Sequence, residues 1–246
     1  LNYKLRTGIF TFDPGVTLHF YGTKNTQLGS TFERNISDIR PNLRVNLQFK
    51  KSESLRFTYR KNTQFTDINN LSEAYIFGNY NSIFQGNREL ESALLNSYNL
   101  NYRSINQFTF TNIFANASYS KRSNSIQSRA NIVGINAIRS STNSIFPRET
   151  YSVNGRIDKR FKNMKLNFST RYNFSEFTNV INNQLNKSES LTQNYSASIE
   201  TSFRDKPNFE LGFRYNVNDY NNGATENQFI TEAPFIRVDA YFGKGF

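Results

Sequence analysis

The chain has 246 residues, a formal net charge of +11 and no cysteine, which excludes a disulfide framework, a thiol nucleophile and a cysteine-based metal site from these residues. Hydrophobic residues make up 37% of the chain and mean hydropathy is −0.65, but 24 Phe and 14 Tyr argue against disorder. No stretch approaches roughly 18 consecutive apolar residues, so no transmembrane helix is predicted.

Apolar and polar side chains alternate along nearly the whole chain, in segments of about ten residues separated by turn or loop residues. The pattern is regular at residues 43–49, 166–174 and 209–217. A period of two predicts strands with one apolar face and one wet face. Strands this long, numerous and aromatic predict an all-β fold, a transmembrane antiparallel up-and-down β-barrel. The alternative is a soluble β-sandwich, whose strands usually have about five or six residues.

We predict about eleven strands from this alternation. They cover residues 2–12, 16–24, 42–50, 55–62, 97–103, 108–121, 151–160, 165–177, 191–204, 208–219 and 229–242. Asp13-Pro14-Gly15 is predicted to be the tight turn between the first two strands, because Pro presets φ and Gly tolerates a positive φ.

The predicted connections alternate between short and long. Short turns follow Phe12, Lys50, Arg103 (residues 104–107), Arg160 and Arg204. Longer loops are predicted at residues 25–38, 63–95, 123–148, 178–189 and 220–227, with hairpin strands inside 123–148 and no sustained alternation inside 63–95. This asymmetry is typical of outer-membrane barrels, in which periplasmic turns are short and extracellular loops are longer.

A strand followed by a loop motif carries a family resemblance. The strand runs Leu55-Arg56-Phe57-Thr58-Tyr59-Arg60-Lys61, and the following loop contains Gly86, Asn87 and Leu90 before the next strand at Tyr98. This resembles the barrel of TonB-dependent receptors, especially the Bacteroidetes-type outer membrane protein β-barrel family. There a Leu-Arg-x-x-Tyr strand leads into a loop with a Gly-Asn-Pro-x-Leu-x-Pro-Glu motif. Arg88 and a residue at or near Ser92 stand where that motif has prolines.

The resemblance implies energised uptake of a scarce or large nutrient across the bacterial outer membrane, such as a siderophore, cobalamin or glycan. It implies a barrel of about 22 strands around an N-terminal plug. Residues 1–246 would then form a partial barrel domain, about its C-terminal half, without the plug. The expected partners are outer-membrane lipid, the TonB complex through the plug, and a surface lipoprotein.

Two other functions stay open. One is a self-contained porin or adhesin-like barrel of about 10–12 strands. The other is a soluble β-rich binding protein, for which the basic charge would suggest nucleic acid. We expect no nucleic-acid partner, because Lys and Arg alternate with apolar residues and do not form blocks.

The chain ends give two further expectations. Leu1 is not an initiator and no signal peptide precedes the first predicted strand, so we expect a fragment or a domain of a longer precursor. Phe246 is either the terminal aromatic residue of a closing strand or the point where the fragment stops.

Candidate functional residues lie in the longest loop and on the wet face of the strands. Aromatic rings among amides suit the binding of a sugar or chelate, and an ordinary polar loop with self-packed aromatics is the alternative. The loop candidates for substrate binding are Tyr75, Phe77, Asn79, Tyr80 and Phe84. The basic residues predicted to face the lumen are Arg56, Arg60, Arg171 and Arg214.

No catalytic residue, metal site or cofactor is expected. The single histidine, His19, has no local nucleophile or orienting carboxylate pattern that would make it a catalytic base. With one His and no Cys, no metal-ligand spacing is present. The sequence therefore predicts a protein that is not an enzyme.

Overall fold

The computed structural model describes residues 3–204 and 206–240, and this part of the chain is almost entirely β-structure. It contains fifteen strands, a 3₁₀ helix at Ile68–Leu71 and no helix long and apolar enough to cross a membrane. The strands are β1 (Leu5–Thr7), β2 (Phe10–Gln27), β3 (Ser30–Lys50), β4 (Glu53–Gln64), β5 (Tyr75–Asn79), β6 (Ser82–Gln85), β7 (Ala93–Asn106), β8 (Thr111–Ser123), β9 (Ile126–Val133), β10 (Asn136–Asn143), β11 (Arg148–Phe161), β12 (Met164–Ile181), β13 (Gln184–Thr201), β14 (Asn208–Asn221) and β15 (Glu226–Asp239).

Eleven of these strands form one antiparallel meander in the order β1-β2-β3-β4-β7-β8-β11-β12-β13-β14-β15. Each of them pairs with the next strand of the meander, and within the described residues β1 and β15 do not pair with each other. The other four strands, β5, β6, β9 and β10, lie inside two long connections. The total of fifteen therefore differs from the predicted eleven.

Short turns lie at one end of the meander, here called the turn end, and longer excursions lie at the other, the loop end. The turns between β3 and β4 and between β11 and β12 each contain two residues. The connection between β8 and β11 contains the β9–β10 hairpin, which confirms the hairpin predicted within residues 123–148.

The predicted turn at Asp13-Pro14-Gly15 is wrong, because these residues lie inside β2, and the turn precedes β2 at Gly8-Ile9. Pro14 is tolerated there for a specific reason. Its carbonyl oxygen accepts a hydrogen bond from the Tyr3 N–H on the side facing away from β3. The proline nitrogen points the same way, so the missing N–H removes no bond between β2 and β3.

Two predicted loops are also wrong. Residues 25–38 and 178–189 belong largely to strands, since β2 and β3 pair continuously from Phe10↔Leu47 to Gln27↔Ser30, and β12 pairs β13 as far as Ile181↔Gln184. The tight turns Leu28-Gly29 and Asn182-Asn183 close these hairpins with a positive φ at every residue. The sequence of these segments does not alternate between apolar and polar residues, because both faces of the strands contact water at this height. Their polar composition therefore resembled that of a loop.

Smaller differences concern strand limits. The turn predicted at residues 104–107 lies at 107–110, because β7 continues to Asn106 and β8 begins at Thr111. The loop predicted at 220–227 contains only residues 222–225. Predictions that involve Asn2, Asp205, Phe242 and Phe246 lie outside the described residues.

The connection between β4 and β7 folds into a compact unit, which we call the loop cap (residues 65–92). It contains the 3₁₀ helix and the β5–β6 hairpin, and it corrects the prediction of a loop without regular structure. Asp67 caps the helix by accepting a hydrogen bond from the Asn69 N–H at 2.9 Å. Near its end the loop cap contains Leu90, one of the three buried apolar residues of the described chain.

Gly86 closes the loop cap. Its N–H donates to the Ser72 carbonyl at 2.7 Å, and the Asn87 N–H donates to the Asn70 carbonyl at 2.7 Å. A Cβ on Gly86 would lie 2.4 Å from the Asn70 carbonyl oxygen, so the backbones approach too closely for any side chain. Gly86, Asn87 and Leu90 of the sequence motif therefore have a structural role in this chain.

We predict that Gly86→Ala destabilises the loop cap by about 1–3 kcal/mol, because the new methyl group must push away backbone atoms. Hydrogen–deuterium exchange of the detergent-solubilised protein should show faster exchange at residues 68–90 and unchanged exchange in β11–β13. Gly78→Ala is the matched control, since its nearest neighbouring atom would be 3.6 Å away. Equal exchange in the two variants would contradict the close-approach role of Gly86.

Candidate functional site

The loop cap is fixed to the hairpin formed by β2 and β3. Gln27 bonds it twice, donating to the Leu71 carbonyl at 2.9 Å and accepting from the Glu73 N–H at 2.8 Å. Arg88 forms an ion pair with Glu73 inside the loop cap and donates to the Ser30 hydroxyl at 2.8 Å. These bonds hold the loop cap against the hairpin at the loop end.

The opposite side of the loop cap is fixed to the β9–β10 hairpin. β6 pairs in parallel with β10 from Ser82↔Ala137 to Gln85↔Ser140. The Ser141 hydroxyl, which is buried, donates to the Asn70 side chain at 3.0 Å. β9 in turn pairs in parallel with the upper part of β12. The excursions at the loop end thus form one connected structure.

The predicted loop candidates divide into two groups. Tyr75, Phe77 and Tyr80 are exposed, with 61%, 73% and 92% of their surface accessible. Tyr75 and Phe77 lie on the same face of β5, and Tyr80 is in the turn that follows. These three residues present aromatic rings outward from the loop cap.

The other two candidates are placed differently. Phe84 is cross-strand partner to Ile76 on the opposite face of the hairpin and is half-buried. The Asn79 side chain accepts a hydrogen bond from the Asn81 N–H at 3.2 Å, which stabilises the turn. Ile138, which the sequence analysis missed, is exposed and lies in the row Phe77–Ile83–Ile138. The position of Ile138 beside Ile83 follows from the parallel pairing of β6 with β10, which the sequence alone does not indicate.

The meander below the loop cap has a polar face that bears the predicted basic residues. Arg56, Arg171 and Arg214 line a common cleft of about 950 Å³. Arg103 and Arg156 line the same cleft, although the predicted site did not include them. Arg60 lies apart, in a smaller cleft of about 330 Å³.

A row of amide and guanidinium groups crosses this polar face along the cross-strand register. Its hydrogen bonds run from Arg171 Nε to Asn154 at 3.1 Å, from Asn154 to Asn116 at 3.5 Å, and from Asn116 to Asn101 at 2.8 Å. The complete row is Asn46, Arg56, Asn101, Asn116, Asn154, Arg171, Asn194 and Asn216. It offers donors and acceptors to a solute in water.

Asp38 joins the upper part of β3 to the end of β4. It accepts hydrogen bonds from the Thr63 hydroxyl and from Arg40 Nε, the latter at 2.6 Å. Burial raises the pKa of Asp38, but these hydrogen bonds and the charges of Arg40 and Lys61 outweigh it and hold the pKa below its usual value. The carboxylate therefore helps to fix the hairpin on which the loop cap rests.

The second face of the meander is apolar and has no protein cover. Phe213 and Leu211 keep 43% and 59% of their surface exposed, although β14 is paired on both sides, with β13 and with β15. Only Leu90, Ala93 and Val217 are buried apolar residues within the described chain. A sheet of this size without a packed core must place its apolar face against a nonaqueous surrounding.

An aromatic row limits the apolar face toward the loop end. Neighbouring ring centroids in this row are 4.7 to 6.2 Å apart. The row consists of Tyr59, Tyr98, Tyr119, Tyr151 and Phe174. Two residues farther along the strands the same face becomes charged, with Lys121 and Glu149 paired at 3.5 Å. Aromatic side chains next to charged ones are typical of the membrane–water boundary.

The height of the apolar face agrees with the same interpretation. On β12 it extends from Met164 to Phe174, about 33 Å along the strand. At the strand tilt of about 35–45° that is typical of membrane barrels, this length corresponds to a height of about 23–27 Å, close to the apolar band of such barrels.

The described residues contain no group of three or more His, Cys, Asp or Glu side chains that could hold a metal ion. His19 stacks on Tyr21 with ring centroids 5.6 Å apart.

Comparison with known proteins supports the membrane interpretation. The model of an outer membrane protein beta-barrel family matches residues 1–246. A search of curated proteins and a search of solved structures found no match.

We predict opposite responses on the two faces of β14. Phe213 lies midway between Phe209 and Val217 on the apolar face, so Phe213→Arg should cost about 2–4 kcal/mol of unfolding free energy in a bilayer. The neighbouring Arg214→Ala, on the polar face, should cost far less. Urea unfolding of the complete protein in lipid vesicles measures both values. Equal costs would show that the faces are assigned incorrectly.

We also predict that acid loosens the β2–β3 hairpin. Because the pKa of Asp38 is lowered in the folded state, its contribution to stability is complete above the ordinary value of 3.8 and is lost as the pH falls below it. A nitroxide label at Ser37 should become more mobile in this range. Asp38→Asn should remove most of that pH dependence, and an unchanged transition in the variant would contradict the role of Asp38.

Proposed function

We propose, from the premise that the chain belongs to the outer membrane protein beta-barrel family, that it forms the barrel of a TonB-dependent receptor. The protein is in the bacterial outer membrane, where its apolar face contacts membrane lipid. In this proposal it takes up a scarce or large nutrient, such as a siderophore, cobalamin or glycan, by energised transport. It has no catalytic activity and no cofactor.

The observation that carries this proposal is the folded loop cap above a wide polar face. An ordered structure across the external loops favours a receptor over an open pore, because it narrows the entrance and presents a fixed surface. A receptor that captures a dilute nutrient needs such a structure, because a preorganised surface loses less entropy on binding. The bonds of Gln27, Arg88 and Ser141 preorganise the loop cap on both sides.

The meander supports a larger barrel. Its outer strands β1 and β15 are unpaired with each other in the described residues, and open strand edges are not stable in lipid. Bacterial single-chain barrels have even numbers of strands, whereas this meander has eleven. We propose that further strands complete the barrel, that a plug domain fills it and contacts the TonB complex, and that a surface lipoprotein acts at the loop end.

The exposed rings of Tyr75, Phe77 and Tyr80 are the proposed nutrient-binding surface. Aromatic faces stack on the apolar face of a sugar or on an aromatic chelate, and they lose little side-chain entropy on binding. In the proposed receptor, the loop end faces the outside of the cell and the short turns face the periplasm.

A self-contained porin or adhesin-like barrel is the second candidate. One observation favours an adhesin: Tyr80, Val133 and Ile135 are all exposed at the tips of two adjacent hairpins. These tips are joined by a hydrogen bond from the Ala137 N–H to the Asn81 carbonyl at 2.8 Å. Apolar tips of this kind are suited to contact another surface.

Energised uptake is the direct test of the proposal. Cells that carry the complete gene should accumulate a labelled nutrient from a panel of ferric siderophores, cobalamin and oligosaccharides, and a protonophore or deletion of TonB should abolish this accumulation. Uptake that persists in de-energised cells would favour the porin. No uptake together with lost surface attachment on gene deletion would favour the adhesin.

We predict that Tyr75→Ala combined with Phe77→Ala weakens nutrient binding to the complete protein by about 10-fold or more, since each ring contributes about 1 kcal/mol of stacking. The measurement is equilibrium binding of the nutrient identified by uptake. Phe108→Ala is the control, because this ring is even more exposed, at 96%, but lies in a turn at the opposite end. A similar loss in the control variant would exclude a specific role for the loop cap.

A further inference from the structure

Five arginines concentrate positive charge in one part of the polar face, which we call the arginine band. It lines the 950 Å³ cleft, and no Asp or Glu lines that cleft. The band consists of Arg56, Arg103, Arg156, Arg171 and Arg214. These residues occupy two adjacent rows of the register and extend from β4 to β14, about 29 Å at the usual strand spacing.

Little protein charge compensates the band. Arg156 is the exception, because its Nε lies 2.9 Å and 3.0 Å from the two carboxylate oxygens of Asp158. Arg171 bonds the neutral Asn154 side chain. For Arg56 and Arg103 the described residues provide no hydrogen bond or ion pair. Four guanidinium groups in one cleft therefore lack a counter-charge within this part of the chain.

Arg214 is held in position by a ring. Its guanidinium carbon lies 4.7 Å from the centre of the Phe235 ring, a cation–π contact. The ring in turn covers Gly212, where a Cβ would meet it at 2.3 Å. An uncompensated charge that is oriented by its neighbours is available to a ligand at low entropic cost.

We infer that the arginine band is a binding site for anionic solutes that carry carboxylate or phosphate groups. Guanidinium groups bind both kinds of oxyanion in bidentate geometry. The adjoining asparagines of the row bond hydroxyl groups, so a hydroxylated anion, such as an acidic oligosaccharide, fits the complete surface. The inference rests on the proposed transport function and deepens it, because it names the class of solute that moves along the polar face.

Binding of defined anions to the complete protein in detergent tests the inference. Calorimetry at low ionic strength should detect trigalacturonate and pyrophosphate, and the neutral maltotriose should bind more weakly. The affinity for both anions should fall as salt is added. Neither comparison requires a variant, so the inference can be tested even if an arginine substitution prevents folding.

Variants locate the site. Arg56→Gln and Arg103→Gln should each weaken anion binding by about 10-fold, the loss of one charge-assisted hydrogen bond, and should leave maltotriose binding unchanged. Lys51→Gln is the control, because it removes the same charge from an exposed turn outside the cleft. An equal loss in the control would mean that net charge alone attracts the anions, which overturns the inference.

A second result would also overturn it. If an acidic domain of the same protein fills the cleft, the anions will not bind, and Arg56→Gln will lower the unfolding temperature. The proposed function fails separately, because binding is measured without an energy source. Anion binding without energised uptake contradicts only the receptor, whereas energised uptake without anion binding contradicts only this inference.

Discussion

The cross-strand register is the constraint on which the rest of the structure depends. Because each strand pairs with its neighbours over most of its length, residues of one parity are directed to one face and residues of the other parity to the opposite face. The sheet has almost no packed core of its own within the described residues. Its stability therefore depends on two different surroundings, lipid on the apolar face and water on the polar face.

The same register explains how the structures at the loop end are supported. The hairpins β2–β3 and β12–β13 continue past the aromatic row into water, where they no longer need an apolar face. They provide the rigid edges to which the loop cap and the β9–β10 hairpin are bonded. Within the described residues, no part of the chain covers the polar face below the loop cap, which bears the arginines and asparagines.

The sequence alone predicted the central strands well, because a period of two in β12 and β14 directly reports which face each residue occupies. It failed where that signal disappears. Pro14 and Gly15 have the composition of a turn, but the nitrogen of Pro14 faces away from β3, so the proline removes no hydrogen bond between β2 and β3. At the candidate site, loop composition identified Tyr75 and Phe77. Their neighbour Ile138 and the structural role of Asn79 depend on the pairing of distant segments, which no local pattern reports.

The assignment of the two faces is tested most directly by spin labels placed one at a time along β14, from residue 209 to 217, in a cysteine-free background of the complete protein in lipid vesicles. We expect accessibility to oxygen to be highest at Phe209, Leu211 and Phe213. Accessibility to a water-soluble nickel chelate should be highest at the intervening residues Glu210, Gly212 and Arg214. The predicted result is that both accessibilities alternate with a period of two residues. The labels most accessible to oxygen should be those least accessible to the chelate. High chelate accessibility on both faces would contradict a membrane-spanning sheet.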